Sequence, residues 1–335
     1  MTYKAVTFRA SSIGDSLMAK YLLENVRARY PSARCGLVVA GRGAMIRDLL
    51  AAYPWIEVIE ANRRSPRALF TLVKHFWRSD FVCTQYTGGT LGIYTKLMAR
   101  ILARRGALVG FVDNASFNGV IYDKLLQHHN RSGVPRLLEC SALTEAGIPI
   151  SIEQMTFNYL PQPNLLSRLG LTKHKYVVVG LFSGGEARGL SPERRQALID
   201  ALARTLPDIE LVCIGTARER EQIAKMRLPR NAKIVETSVQ EVTALIDESA
   251  GMVSLGTGTS HIASLLRTPL VVLVACQGLQ WVSYDQYGDA PMAVFSRPDM
   301  CPGGHDYSGY GKCLNAIDMD AVAQKARDMF YDAKA

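Results

Sequence analysis

The sequence lacks any apolar run long enough to cross a membrane. A bilayer-spanning helix needs roughly 20 apolar residues, and the longest run, residues 269–276, has only the length of a strand. The first residues lead directly into a predicted strand and do not have the anatomy of a signal peptide. Low-complexity tracts and short-period repeats are also absent. We therefore expect a globular protein located in the cytoplasm.

Paired cysteine motifs are absent as well. The chain has 7 cysteines, an odd number, and most of them lie in apolar segments, which predicts reduced core thiols. Cys301, His305 and Cys313 suggest a metal site, but their spacing provides no fourth ligand and does not match the C-x2-C pairs of common zinc sites. Structural or redox-neutral cysteines are favoured, and we predict that the protein needs no metal ion.

Acidic residues are scarce in the first half of the chain. Residues 1–150 hold 20 Lys and Arg against 10 Asp and Glu, whereas the remainder holds 19 against 20. This asymmetry predicts an anionic partner for the first half, namely a phosphorylated or carboxylated acceptor, an anionic membrane or nucleic acid. A solubilising surface is the alternative. Nucleic acid is disfavoured, because no recognition-helix motif or aromatic-interleaved basic stretch is found.

Strand and helix patterns alternate in both halves of the chain, which predicts parallel sheets covered by helices. The linker candidate around Pro161 and Pro163 divides the chain into domains 1–160 and 161–318. We predict an α/β fold with two Rossmann-like domains that face each other across a cleft. The predicted strands are 5–9, 35–39, 56–60, 80–85, 107–112, 176–181, 210–215, 233–235, 252–255 and 270–275. The predicted helices are 16–30, 43–52, 66–78, 90–103, 137–146, 192–205, 217–226, 239–249, 260–266 and 319–331.

The first strand-to-helix turn, Ser11-Ser12-Ile13-Gly14-Asp15, lacks the G-x-G-x-x-G pattern that binds a dinucleotide. This counts against a nicotinamide-dependent oxidoreductase. Asp15, in the first turn of a helix, is the candidate general base, and a plain helix-capping role is the alternative. Arg9 is a candidate for binding an anionic group of the acceptor, or it pairs with a surface acid. The residues assigned to acceptor binding are Arg9, Ser12, Gly14, Arg63 and Arg64.

Two later turns have the composition of phosphate-binding loops. Small and hydroxyl residues at a strand-to-helix turn let backbone N–H groups and the helix N-terminus approach an anion. Arg188 adds a planar bidentate donor. Each turn also has a purely structural interpretation, as a capped glycine turn or a solvated loop. The residues of these turns that we assign to phosphate binding are Ser183, Gly184, Gly185, Arg188, Gly256, Thr257, Gly258, Thr259, Ser260 and His261.

With these motifs, the chain resembles glycosyltransferase family 9, the lipopolysaccharide heptosyltransferase family. Phe8-Arg-Ala-Ser-Ser-Ile-Gly-Asp15 is similar to the family's R-x-S-x-x-G-D start. Thr257-Gly-Thr-Ser-His261, with Ala and Pro at the expected later positions, is similar to its T-G-x-S-H signature. The stretch that begins at Arg188 corresponds to a family K-x-W-P stretch, and the segment from Cys301 to Cys313 resembles the cysteine-bearing tail of several members.

The resemblance implies a GT-B fold and metal-independent, inverting transfer of heptose from ADP-heptose onto a lipopolysaccharide core acceptor. Asp15 would take the proton of the acceptor hydroxyl, the turn 256–261 would hold the donor diphosphate, and Thr237 would lie beside the nucleotide base. A phosphorylated glycolipid would bind the basic first half. The last helix, within residues 319–335, would pack back on the N-terminal domain. Peripheral contact with the cytoplasmic face of an anionic inner membrane is also expected.

The chain departs from the family pattern at three positions. Gly256 stands where the family usually has Asp, Arg188 replaces Lys, and Leu190 replaces Trp. Because these residues lie near the donor in the family, the donor stays open, and a UDP- or GDP-hexose is an alternative. From a different class, a non-catalytic protein that binds an anionic membrane or nucleic acid is the other alternative.

Overall fold

The computed structural model describes residues 2–9, 12–61, 66–85, 92–113, 117–127, 135–150, 156–216, 219–282, 287–302, 304–305 and 309–332. The chain divides into two compact units, Met1–Met155 and Thr156–Ala335, with the boundary a few residues before the predicted one. Each unit contains one six-stranded parallel sheet. The prediction of two Rossmann-like α/β units is therefore confirmed.

The N-terminal unit has the strand order β3-β2-β1-β4-β5-β6, which is that of a doubly wound Rossmann sheet. Its inner strands are buried almost without interruption, as expected for parallel strands covered by helices on both faces. The strands are β1 (Lys4–Arg9), β2 (Arg34–Val39), β3 (Ile56–Glu60), β4 (Phe81–Thr84), β5 (Leu108–Phe111) and β6 (Lys124–Leu126). The helices are α1 (Ile13–Arg29), α2 (Gly43–Leu49), α3 (Pro66–Phe76), α4 (Ile93–Leu102), α5 (Asn118–Ile121) and α6 (Pro135–Glu145).

The C-terminal unit repeats the same order, written β12-β11-β10-β7-β8-β9. Its central strands β7 and β10 are completely buried and pair side by side. The strands are β7 (Tyr176–Gly180), β8 (Glu210–Gly215), β9 (Ala232–Glu236), β10 (Gly251–Leu255), β11 (Leu270–Leu273) and β12 (Met292–Phe295). The helices are α7 (Leu165–Leu169), α8 (Pro192–Thr205), α9 (Arg220–Ala224), α10 (Val239–Asp247), α11 (Gly258–Leu266), α12 (Lys312–Asn315) and α13 (Met319–Asp332).

The last helix, α13, packs within the C-terminal unit. Its residues Val322, Ala323 and Phe330 are buried in the apolar core that α8 and β10 share. Phe330 lies directly over Gly251, whose missing side chain makes room for the ring. The helix therefore belongs to the C-terminal unit, and its expected packing on the N-terminal domain stays a prediction.

Helices α3 and α4 of the N-terminal unit pack on each other and expose apolar side chains. Phe70 and Trp77 follow one another along α3 and its end, and Ile93, Leu97 and Ile101 recur at every fourth residue of α4. Even so, among the helices that the structure describes, none combines the length and the hydropathy that crossing a bilayer requires.

Candidate functional site

In both sheets the strand order reverses between the first and the fourth strand of the unit. β1 pairs with β2 on one side and β4 on the other, and β7 likewise pairs with β8 and β10. In doubly wound sheets, ligands bind outside the carboxyl ends of the strands at this reversal. The three predicted site turns follow β1, β7 and β10, so each of them lies at a position where this fold binds ligands.

Asp15 is held from two sides in the first turn of α1. Ser12 is the helix cap, and its hydroxyl accepts from the Asp15 backbone N–H at 3.1 Å and donates to Oδ2 at 2.5 Å. Gln85, directly after β4, donates from Nε2 to Oδ1 at 2.7 Å. Ser12 is the N-cap residue itself, and Asp15 is the third residue of the helix, where its carboxylate supports the cap. The capping interpretation of Asp15 and its role as a general base both stay predictions.

The surroundings of Asp15 increase its basicity. Burial raises the pKa of its carboxyl group, and this outweighs the hydrogen bonds from Ser12 and Gln85 and the charge of Arg9, which lower it. A carboxylate that is fixed in orientation and more basic than usual suits a general base, since proton transfer improves as the pKa of the base approaches the working pH.

Arg9 is engaged within the protein. Its guanidinium is fully buried and forms a bidentate ion pair with Glu139 of α6, with Nη1 donating to Oε1 at 2.7 Å and Nη2 donating to Oε2. Of the two roles considered for Arg9, the structure shows the pairing with an acid, and this acid is buried rather than at the surface. The assignment of Arg9 to acceptor binding stays a prediction, for a charged group that the structure shows already engaged with Glu139.

The turn after β10 is ordered by its own hydroxyl groups. Thr257 is the N-cap of α11, and its backbone N–H donates to Oγ of Ser260 at 3.1 Å. The hydroxyl oxygens of Thr257 and Thr259 lie 3.0 Å apart. At Gly256, an added Cβ would meet a methyl of Val274 at 3.4 Å, an ordinary contact, so packing alone does not require a glycine there. The turn is therefore pre-formed, with Gly258 at the first position of the helix.

His261 is buried behind this turn, where its Nδ1 hydrogen-bonds to the Tyr287 hydroxyl. Burial lowers the pKa of His261 to about 4. The imidazole is consequently neutral at physiological pH. It can orient a ligand through hydrogen bonds, but it adds no positive charge for a diphosphate.

The loop after β7 forms one wall of a pocket of about 200 Å³. Arg195 also lines the pocket and is buried with its guanidinium over the ring of Phe182. It donates to the Leu190 carbonyl at 3.0 Å and to Oε1 of Gln222 at 2.5 Å. These partners are neutral, and Arg195 forms no ion pair with any residue that the structure describes. The other lining residues include Ser183, Gly184, Gly185, Glu186, Glu219 and Tyr310.

The remaining predicted residues are distributed as follows. Arg188 is exposed, near Gly184 at the pocket. Gly14 is buried in the first turn of α1, next to Asp15. Thr237 follows β9, at the carboxyl ends of the strands like the other turns. Two strands, β7 and β8, separate β9 from β10 and its turn. The other two acceptor-binding candidates, Arg63 and Arg64, lie outside the described residues.

A second group of reactive side chains lies at the carboxyl end of β11. Cys276 opens a 3-10 turn there, and Cys301, His305 and Cys313 come from the segment after β12. The sulfur and imidazole nitrogen atoms of these four residues all lie within 4.8 Å of one another. Cys276 is therefore the fourth group that the sequence spacing did not provide. Burial, together with the neighbouring thiols, raises the pKa of Cys276 to about 12.

The chain is similar to known proteins in its fold and not in its sequence. Neither protein-family profiles nor curated proteins match the chain. Among solved structures, a family 9 glycosyl transferase from Veillonella parvula aligns with a TM-score of 0.74 at 15% identity, covering 98% of both chains. ADP-heptose lipopolysaccharide heptosyltransferase II of E. coli aligns with a TM-score of 0.71 at 18% identity. The alignment covers 99% of this chain and 100% of the E. coli chain.

A third structure, E. coli heptosyltransferase WaaC with ADP, aligns at a TM-score of 0.66 and 15% identity, covering 97% of this chain and 99% of its own. Identities this low establish the fold and not the reaction. The structural neighbours are glycosyltransferases, as the motifs of the sequence suggest. The chain therefore has the GT-B fold of glycosyltransferase family 9 and of the ADP-heptose heptosyltransferases.

Proposed function

We propose that the protein is an inverting glycosyltransferase that moves a sugar from a nucleotide donor onto a phosphorylated glycolipid acceptor. The observation that carries the proposal is Asp15. This carboxylate lies where the strand order of the first sheet reverses, is oriented by Ser12 and Gln85, and is made more basic by burial. The shared fold of the heptosyltransferases supports the same class of reaction.

In the proposed reaction, the oxygen of the acceptor hydroxyl attacks the anomeric carbon of the donor sugar. Asp15 accepts the proton of that hydroxyl at the same time. The nucleoside diphosphate leaves from the opposite face with the bonding electron pair, which inverts the configuration. The N-terminus of α11 and the Arg188 guanidinium would stabilise the charge that develops on the diphosphate. No step of this reaction requires a metal ion.

ADP-heptose is the proposed donor. Two structural neighbours are described as an ADP-heptose heptosyltransferase and as a heptosyltransferase with ADP. Arg188 keeps the positive charge of the family lysine and adds a second donor in the same plane. Gly256 lacks the carboxylate of the Asp that the family usually has at this position. This difference affects the identity of the donor sugar.

The proposed acceptor is anionic and lies at a membrane surface. The first half of the chain carries the whole excess of positive charge, with 20 basic against 10 acidic residues in positions 1–150. The apolar side chains exposed on α3 and α4 belong to the same unit. Positive charge combined with exposed apolar groups favours the anionic leaflet of an inner membrane over a soluble acceptor.

A thermal-shift screen tests the donor. A ligand that binds the folded state raises Tm by mass action, so ADP should raise it and ADP-heptose should raise it further. Arg188→Ala should reduce both shifts, whereas Arg230→Ala, at another exposed arginine of the same unit, should not. A shift with UDP or GDP alone would reassign the donor, and no shift with any nucleotide would contradict the proposed function.

The role of Asp15 is tested by turnover. Asp15→Asn should retain the ADP-induced shift and lose most of the turnover, on the order of 100-fold or more for a general base. Gln85→Leu removes a hydrogen bond that lowers the pKa of Asp15, so the acid limb of kcat/KM should move to higher pH. Unchanged turnover in Asp15→Asn would exclude Asp15 as the base.

A further inference from the structure

The side chains of Cys276, Cys301, His305 and Cys313 converge on one point of the C-terminal unit. We propose that they bind a single transition-metal ion, tetrahedrally coordinated, in a structural site that braces the pocket after β7. The chemistry of three thiolates and one imidazole selects zinc or ferrous iron. This inference is independent of the proposed transferase activity.

The distances match tetrahedral coordination. With metal–sulfur bonds of about 2.3 Å and metal–nitrogen bonds of about 2.0–2.1 Å, the ligand atoms of a tetrahedral site lie roughly 3.5–3.8 Å apart. From Nδ1 of His305, the sulfur atoms of Cys276, Cys313 and Cys301 lie at 3.3, 3.7 and 4.0 Å. One ion at the centre of the four atoms would therefore need only small movements of the side chains.

The four ligands come from separate segments that the fold brings together. Cys276 follows β11, and Cys301 and His305 follow β12, which pairs in parallel with β11. The carboxyl ends of these two strands are neighbours for that reason. Cys313 lies in α12, after the chain has returned to the same point. The spacing of these four residues in the sequence does not explain why their side chains lie together.

Core packing does not account for the cluster. Cys35, Cys83 and Cys213 are buried in strands, as cysteines used for packing usually are. Cys276 and Cys301 are only half-buried, and the imidazole of His305 lies among the three sulfurs. Thiols and an imidazole gain little from one another as neutral groups, because sulfur hydrogen bonds are weak. A cation at the centre would give each group a strong partner.

The site would hold the segment that supports the pocket. Tyr310 and Asn315 lie on either side of Cys313 in the sequence. The Tyr310 hydroxyl is 3.4 Å from a guanidinium nitrogen of Arg195, and Oδ1 of Asn315 accepts from the Ser191 backbone N–H at 2.8 Å. An ion bound by Cys313 would thus fix both contacts to the beginning of α8, which follows the loop after β7. With four protein ligands the ion has no open position, so its role is structural.

Metal binding at this site releases protons. Each thiol must lose its proton to solvent before its sulfur can bind the ion, so up to three protons leave when a divalent ion enters. The affinity should consequently rise with pH. A cluster held only by packing would show no such coupling between metal concentration and pH.

Metal analysis of the whole protein, purified without a metal-affinity step, tests the proposal. We expect elemental mass spectrometry to find about one equivalent of zinc or iron per chain. Cys276→Ser and Cys301→Ser should each lose it, because serine is a poor ligand for these ions. The matched control is Cys213→Ser, at a buried cysteine of β8 outside the cluster, which should retain the metal.

A measurement on the unmodified chain covers the case in which the cysteine variants fail to fold. The protein is treated with a chelator under reducing conditions and then titrated with Co²⁺, which gives intense visible bands when thiolates bind it tetrahedrally. A wild-type protein without zinc or iron that also gives no such bands would overturn the proposal. So would a thiol count that shows a disulfide within the cluster. Neither result involves a nucleotide or a sugar, so failure here is separate from failure of the proposed function.

Discussion

Asp15 illustrates, at the scale of a single residue, how a functional group can oppose stability. Its pKa is raised on folding, mainly by burial, so at neutral pH the ionised group destabilises the folded state. Asp15→Asn should therefore increase the free energy of unfolding at pH 7, and the gain should shrink as the pH falls toward the unfolded value of about 4. Urea unfolding at several pH values measures this effect.

The matched control for that prediction is Asp328→Asn on α13, where the side chain is exposed and accepts from Gln324. This variant should show no gain. A less stable Asp15→Asn protein at pH 7 would contradict the prediction and would assign Asp15 a structural role. Higher stability combined with lost turnover is the behaviour expected of a residue retained for function.

His261 should make stability depend on pH in the opposite direction. Its pKa falls from 6.5 to about 4 on folding because the neutral ring is buried. Between these values the unfolded chain binds a proton that the folded chain does not, so stability is lost as the pH falls from 7 to 4, by about 3 kcal/mol at most. His261→Asn should remove this dependence. Tyr287→Phe, which keeps the ring buried, should retain it, and a flat wild-type profile would contradict the assignment.

At the same scale, the site was predictable where residue type and position in the chain coincide. Asp15 and Thr257 each follow a predicted strand, and within each sheet the reversal of strand order makes the turn after that strand a ligand-binding position. Gln85 ends the predicted strand 80–85, but nothing in its type indicates that it meets Asp15 70 positions away. Glu139 lies inside a helix with no local signal, and its pairing with Arg9 depends on how α6 packs. The sequence did not predict that Cys276 belongs to the cysteine and histidine cluster. The pairing of β11 with β12 brings it close to residues that lie 25 or more positions further along the chain.

Among the secondary-structure elements, the long buried ones were predicted, and so were the edge strands β3 and β9, whereas the edge strands β6 and β12 were missed. Parallel strands such as β1 and β7 are nearly continuous apolar runs, and their sequences show it. β6 has three residues of intermediate burial, and β12 has four, of which only Met292 is buried. β6 and β12 are both short and little buried, so their sequence pattern does not stand out from that of a loop.

The docking of α13 gives a prediction at the scale of the element. A Cβ at Gly251 would lie 2.2 Å from the Phe330 ring, so Gly251→Ala must displace the ring or the helix. We expect a loss of about 1–3 kcal/mol in the free energy of unfolding. Adding Phe330→Leu should restore part of the loss, because the smaller side chain leaves room for the methyl group. Gly119→Ala, where no atom lies within 4 Å, is the control and should cause no loss.

Across the whole molecule, two units of one fold have different surfaces. They share the same strand order, yet the excess positive charge belongs to the first half of the chain. The most exposed large apolar residues of α3 and its end are in that half too, with Phe70 68% and Trp77 50% exposed. A fold shared by both units cannot account for this difference. It is the difference that the proposed binding of an anionic partner by the N-terminal unit requires.

If that partner is an anionic membrane, the protein should sediment with vesicles of phosphatidylethanolamine and phosphatidylglycerol, and not with phosphatidylcholine alone. Added salt should weaken the binding without abolishing it, because screening acts on the charges and leaves the apolar contacts intact. The double variant Phe70→Ser and Trp77→Ser should then lose the salt-resistant part. Tyr331→Ser, which removes an exposed aromatic side chain of the C-terminal unit, is the control and should bind normally. Equal binding to both kinds of vesicle, or none to either, would contradict the membrane assignment and leave the basic unit to a soluble anionic acceptor.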